Sequence, residues 1–212
     1  MKKFYFYKLT AYNKGAPCLD KYGKLLSLAI CKPMIRRTAD INNFIFGFAA
    51  NSLHADNRLL YIARINAKEF NGDYFKKTKY SQRGDCIYEY HEGRFARREN
   101  ALHHGPEDLV HDVGEHPNYE RASVLLSDDF RYFGKNGSAD YKTQYPQIKE
   151  AVENLGIGHR VNHVNELLIE LEALRKQVWE ETQQGEIGEK TSESCYGVCH
   201  RVDDGMWAND EE

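Results

Sequence analysis

Helical periodicity is confined to the last third of this chain, and that segregation limits its possible folds more than any other feature. Before it, aromatic and β-branched residues dominate segments bounded by turn chemistry. Lys2 to Thr10 reads as a strand ended by Asn13-Lys14-Gly15-Ala16-Pro17. Leu25 to Cys31 is almost continuously apolar and closed by Pro33, the pattern of a segment covered on both faces, which assigns Cys31 to the core. Phe44 to Ala50 and Leu59 to Ile65 are two further strands, expected to pair across a polar turn. Cys86 to Tyr90 followed by His91-Glu92-Gly93-Arg94 predicts a hairpin, and Ser123 to Leu126 a last short strand. Only then do Ile148, Val152 and Leu155 fall at helical spacing, with Gly156 in the capping position. Val164, Leu167, Leu168, Leu171, Leu174 and Val178 form the apolar stripe of a longer helix. Strands that precede helices instead of alternating with them predict an α+β fold. The expected form is a mixed β-sheet or small barrel with C-terminal helices, not a doubly wound parallel sheet.

A chain of 212 residues with 41% hydrophobic content has material for one substantial core, so a single domain is expected over residues 1–182. Residues 183–212 turn to Gln, Gly, Ser and acidic side chains, the composition of a weakly ordered acidic tail. No apolar run approaches the roughly 20 residues that span a bilayer. The N-terminal apolar run is cut off by Lys8 without a cleavage site, and five cysteines are an odd number, so a cytoplasmic protein with reduced thiols is expected. The net charge of −3 is uneven: residues 180–212 hold ten acidic side chains against Lys190 and Arg201, leaving the remainder mildly basic. That asymmetry suits either a basic face that meets phosphate or a solvated surface with an acidic end.

Neither of the usual glycine-rich phosphate loops is present. Lys32-Pro33-Met34-Ile35-Arg36-Arg37 sets three cations beside a proline, where a rigid turn could hold them at a pocket rim to grip phosphate. Lys76, Lys77, Lys79 and Arg83, interleaved with Tyr74, Phe75 and Tyr80, fit either an exposed loop or a stacking surface for single-stranded nucleic acid. His103, His104, His111 and His116 lie close together with Asp108 and Asp112, and a helix would align His104, Asp108 and His111 as metal ligands. Gly105-Pro106 interrupts that helix, so no metal and no cofactor is expected, and the histidines are assigned to hydrogen bonding with a polar ligand. Cys195 and Cys199 are read as free thiols in the tail. The segment Ser127 to Gly134 joins two carboxylates to three aromatics, as a turn, a packed corner or a stacking wall.

Several blocks taken in order carry a resemblance. They are Tyr7-Lys8-Leu9-Thr10, Gly15-Ala16-Pro17-Cys18, Leu25 to Cys31 with Lys32-Pro33 and Ile35-Arg36, and Phe44-Ile45-Phe46-Gly47-Phe48. Val124 to Ser127 with Phe130 and Tyr132-Phe133-Gly134 follow, and then Gly158-His159-Arg160-Val161-Asn162. Together, over residues 4 to 165, they resemble the second of the nucleotide-modification-associated domains of bacteria and their phages. The resemblance implies an α+β domain linked to DNA base hypermodification. The step from Asn43-Phe44-Ile45-Phe46-Gly47 to Leu60-Tyr61-Ile62-Ala63 is similar to the barrel strands of PUA-like domains, except that Asn42-Asn43 stands where those sequences have Gly-Asp.

Residues and resemblance lead to a module that binds a nucleotide or a modified nucleic-acid base, with DNA as a possible partner and no membrane. Tyr61 and Tyr132 would sandwich the base, Thr10 and Ser127 would bond its edge, and Lys32, Arg36 and Arg160 would meet phosphate on one shared pocket. The alternative is an enzyme acting on a nucleobase or nucleotide, with His103, His104 or His159 as general acid or base and Asp129 as orienting partner. A third reading is a phage-type protein that sequesters a nucleotide signal.

Overall fold

The computed structural model describes residues 2–12, 15–156 and 158–188. In chain order the strands and helices begin with β1 (Phe4–Leu9), β2 (Cys18–Leu19), β3 (Leu26–Leu28), α1 (Pro33–Thr38), β4 (Phe44–Ala49), β5 (Leu59–Arg64), β6 (Ala67–Glu69) and α2 (Asp73–Lys76). They continue with β7 (Tyr88–His91), β8 (Arg94–Arg97), α3 (Leu109–Val113), β9 (Val124–Ser127), β10 (Asp129–Tyr132), α4 (Tyr141–Gln144), α5 (Pro146–Glu153), β11 (His159–Arg160), α6 (Asn165–Glu181) and β12 (Gly185–Glu186). These elements fall into two units, one from residues 2–12, 42–65 and 128–188, the other from 15–41 and 66–127.

The first unit is a six-stranded mixed sheet in the order β11-β1-β4-β5-β10-β12. β1 lies parallel to β4 and β10 parallel to β12, while the other neighbours are antiparallel, including the expected pair β4 and β5. The sheet is open, with β11 and β12 at its edges, so the barrel alternative is replaced by a plain mixed sheet. Alternation decides its faces. Phe4, Phe6, Phe44, Phe46 and Ile62 pack against Ile148 and Val152 of α5 and against Leu167, Leu171, Leu174 and Val178 of α6. That is the helical stripe read from the sequence, less Val164, which stays exposed at the helix entrance. Asn42, at φ 68, takes a left-handed turn that asparagine tolerates better than most residues.

Tyr5, Tyr7, Tyr61 and Tyr132 occupy the opposite face by the same alternation, and all four are buried. Gly47 is required there, because a Cβ would lie 2.1 Å from the Tyr61 ring. Within the stretch read as a tail, 183–212, β12 pairs with β10, and the Ile187 N–H donates to the Tyr132 carbonyl at 2.7 Å. The rest of that stretch, with Cys195 and Cys199, lies outside the described residues.

The second unit holds an antiparallel sheet in the order β2-β3-β9-β6 and the two-stranded hairpin β7-β8, the latter where the sequence places it. Its core gathers Ile30, Tyr74, Phe75, Tyr80, Tyr88, Phe95, Val113 and Val124. Tyr74, Phe75 and Tyr80 are therefore core rings, not a stacking surface for bases. A short helix, α1, replaces the rigid turn expected after Pro33.

Replacing Gly47 with alanine forces the Tyr61 ring aside in a packed sheet and should cost about 1–3 kcal/mol, the range for overpacked cores. Thermal or urea denaturation checks this, and a variant as stable as the parent would show that the ring has room to yield.

Candidate active site

The second unit brings together three side chains that the sequence holds far apart. β3 ends at Leu28, and after two fully buried residues the backbone reverses through Cys31 (φ 57) and Lys32 (φ 43) before Pro33 opens α1. Left-handed conformations are uncommon for residues other than glycine, and two in succession present the half-buried Cys31 side chain at the end of a buried strand. His104 is also left-handed, at φ 53. Arg97 from β8 holds it there, donating from Nε to the His104 carbonyl and from Nη2 to the Ala101 carbonyl, both at 2.5 Å.

Cys31 Sγ lies 3.1 Å from His104 Nε2, and His104 Nδ1 lies 2.5 Å from Asp112 Oδ2. Asp112, on α3, is 0% exposed. Its Oδ2 also accepts the Tyr88 hydroxyl at 2.7 Å, and its Oδ1 accepts the Cys31 backbone N–H at 2.9 Å. The Arg36 guanidinium stands 3.7 Å from Oδ1. Burial works against the Asp112 charge, but the His104 hydrogen bond, the nearby cations and the Tyr88 hydroxyl overcome it and hold the carboxyl below its usual range. An ionised Asp112 can only accept, so Nδ1 of His104 carries the proton and Nε2 is left to accept from the Cys31 thiol. Burial, and then the Asp112 charge, raise the Tyr88 hydroxyl, keeping it a donor.

This is the series expected of an activated thiol: nucleophile, base and an orienting carboxylate, each within hydrogen-bonding reach of the next. Among the described residues no group of three or more ligand side chains converges on one point.

The expected site residues are placed differently. Arg36 is 0% exposed and donates to the carbonyls of Cys31, Arg121, Ser123 and Asp112 at 2.7, 2.7, 2.9 and 2.7 Å, so it is an internal cation and not a rim residue. Lys32 is half-buried beside the nucleophile. His103 is buried under Gly15, whose absent Cβ would lie 3.0 Å from the imidazole, so glycine lets that loop approach the His103-His104 segment. Ser127 is buried on β9 opposite Leu26.

The remaining candidates belong to the first unit. Thr10 is exposed and its carbonyl accepts the Ser52 hydroxyl at 3.3 Å. Tyr61 and Tyr132 face each other across β5 and β10 with ring centroids 6.1 Å apart, and Tyr61 bonds the Tyr7 hydroxyl at 2.9 Å. Asp129 pairs with Arg64 at 2.7 Å and accepts from Trp179 at 3.1 Å, so the carboxylate that orients a histidine is Asp112 instead. His159 stacks on Tyr5, and Arg160 lines a recess of about 140 Å³ with Gln147, Glu150 and Asn154. That is well below the roughly 300 Å³ at which small-molecule sites begin. Arg36 and Arg160 lie in different units.

The fold and this series define an α+β protein with a cysteine–histidine–aspartate relay. Residues 1–189 match the family model described as nucleotide modification associated domain 2, and the chain belongs to that family. No curated protein and no solved structure matches it. No helix of the described residues is long and apolar enough to cross a membrane.

The depressed Asp112 titration links the relay to acid stability. A folded pKa below the unfolded value adds stability that is fully present above the unfolded value, near 3.8, and is lost as pH falls through the folded one. Unfolding followed from pH 6 down to pH 2 should show this loss beginning near pH 4. Asp112→Asn should flatten that limb while costing about 3–5 kcal/mol at neutral pH, as for a broken buried ion pair.

Proposed function

We propose that this chain is a cysteine-dependent enzyme of nucleotide modification, which transfers or hydrolyses an acyl group carried by a nucleotide or nucleic-acid base. The observation that carries the reading is the contact of Cys31 Sγ with His104 Nε2 at 3.1 Å while Nδ1 of the same ring is bound to buried Asp112. Membership in the nucleotide modification family supports the substrate class. In the first step the thiol proton passes to His104 Nε2 and the thiolate attacks the acyl carbon, forming a C–S bond. The leaving oxygen or nitrogen departs with the proton from Nε2. Water or an amine, deprotonated by the same nitrogen, then attacks the thioester and returns the thiol. The relay suits acyl transfer because each half needs one proton accepted and one returned at the same place. The base-binding module read from the sequence becomes, in this proposal, the substrate side of an enzyme.

Iodoacetamide provides a test that needs no substrate. In the full chain at pH 6, peptide mapping should find Cys31 alkylated about 10-fold or more faster than a free cysteine, because the thiolate is what reacts. Cys18 and Cys86, both buried, should lag behind. His104→Ala should remove the advantage while leaving the circular dichroism spectrum unchanged. p-Nitrophenyl acetate should acetylate Cys31 in a burst that Cys31→Ser lacks. Ordinary reactivity at Cys31, unaffected by His104→Ala, would refute the proposal.

A further inference from the structure

Arg36 heads the fully buried large side chains among the described residues, and its donors are spent in an unusual way. A guanidinium has five N–H groups. Nε donates to the Cys31 carbonyl, Nη1 to the carbonyls of Arg121 and Ser123, and Nη2 to the Asp112 carbonyl. The remaining Nη2 direction faces the Asp112 carboxylate at 3.7 Å. Two of the four carbonyls therefore belong to the first and last members of the relay. The Cys31 peptide unit gripped by Nε is the one whose neighbours sit at φ 57 and φ 43, so the bond falls on the strained reversal itself.

Resting on the relay reading above, we propose that Arg36 is its positioning residue: one buried guanidinium ties the backbone of the nucleophile to that of the orienting carboxylate and sets the Cys31–His104 distance. An apolar side chain of equal volume would take the guanidinium donors away from four buried carbonyls and the Arg36 tie away from the reversal at Cys31. A lysine could keep the charge but has no planar fork and fewer donors, so it could not hold both ends in one geometry.

Charge and geometry can be told apart by pH. The titratable and charged groups around the relay include Cys31, His104, Asp112, Tyr88, Asp108, His111 and Arg36, with Arg97 on the His104 carbonyl and Arg121 beyond them. The Arg36 cation favours both the Cys31 thiolate and the Asp112 carboxylate, and Asp112 favours a protonated His104 beside the thiolate. Burial lowers the tendency of Arg36 to keep its proton, but Asp112 opposes it and a guanidinium remains charged.

The experiment joins the pH profile of Cys31 alkylation by iodoacetamide, read by peptide mapping, to the rate at which acetyl-Cys31 formed from p-nitrophenyl acetate is hydrolysed, in full-length Arg36→Gln and Arg36→Lys with wild type and His104→Ala alongside. Arg36→Gln should move the half-maximal alkylation pH up by about one unit through lost charge, and slow the hydrolysis about 10-fold through lost geometry, because that step needs Nε2 in place to activate water. Arg36→Lys, the variant more certain to fold, should keep the midpoint near wild type but show the slowed hydrolysis, which loss of global stability does not produce. Wild-type hydrolysis in folded Arg36→Lys, or a wild-type alkylation midpoint in folded Arg36→Gln, would overturn the inference while leaving the relay intact. Ordinary Cys31 reactivity in wild type that His104→Ala does not change would instead bring down the relay itself.

Discussion

A carboxylate with no exposure to water is the constraint around which the second unit is organised. An ionised group inside a protein is tolerated only when donors replace the water it has lost. Asp112 draws those donors from four segments: the backbone of Cys31, the hydroxyl of Tyr88, the imidazole of His104, and Arg36 close by. Each segment is shaped to deliver its donor. The hairpin β7-β8 carries Tyr88 on one strand and Arg97 on the other, and Arg97 fastens the left-handed turn that swings His104 toward Asp112. The chain after β3 reverses through two left-handed residues so that the N–H of Cys31 meets Oδ1 and its thiol meets His104. Satisfying one buried charge and bringing the Cys31 thiol to His104 are here the same act of folding.

The first unit is built on different physics. Its sheet meets the helices through apolar surface along the Phe4-Phe6 and Phe44-Phe46 face, with polar ties at the margins such as Lys2 to Glu172. Asp129 is neutralised by Arg64 and accepts from Trp179, whose ring also lies against the Arg131 guanidinium, 4.4 Å from its centroid. Such groups anchor a helix to a sheet. They spend their hydrogen bonds on structure and leave no proton relay among themselves.

How much of this was legible follows from the length of chain each signal needs. β1, β4, β5, the hairpin and α6 repeat their period over enough residues for alternation or a stripe to emerge. α1 has six residues, β11 and β12 two each, too few for any period, so the segment at Lys32-Pro33 reads as a turn and nothing in the sequence marks β11. β10 was missed because Ser127 to Gly134 also has the composition of a turn. The same limit hid the nucleophile. Cys31 closes an apolar run and looks like its last core member, because the left-handed reversal that turns it outward leaves no periodic trace. The orienting carboxylate was sought at Asp129 because nothing in one sequence tells which aspartate a distant histidine will meet.

The histidine cluster shows how the backbone selects one member from several. Gly105-Pro106 does break the helix that would have aligned His104, Asp108 and His111, and that break frees His104 to take its left-handed turn. Its neighbour His103 is buried beneath Gly15. His111 precedes Asp112 on the short helix α3, so a helical step of about 100° separates their side chains. Burial lowers the His111 affinity for a proton, with the nearby Asp112 charge only partly opposing it, which favours the neutral imidazole at neutral pH. His104 has its Nδ1 fixed by a carboxylate and its Nε2 turned to a thiol. Histidine density in a sequence therefore marks a neighbourhood, while the member that is held between a carboxylate and a thiol is chosen by where the chain is forced out of regular structure.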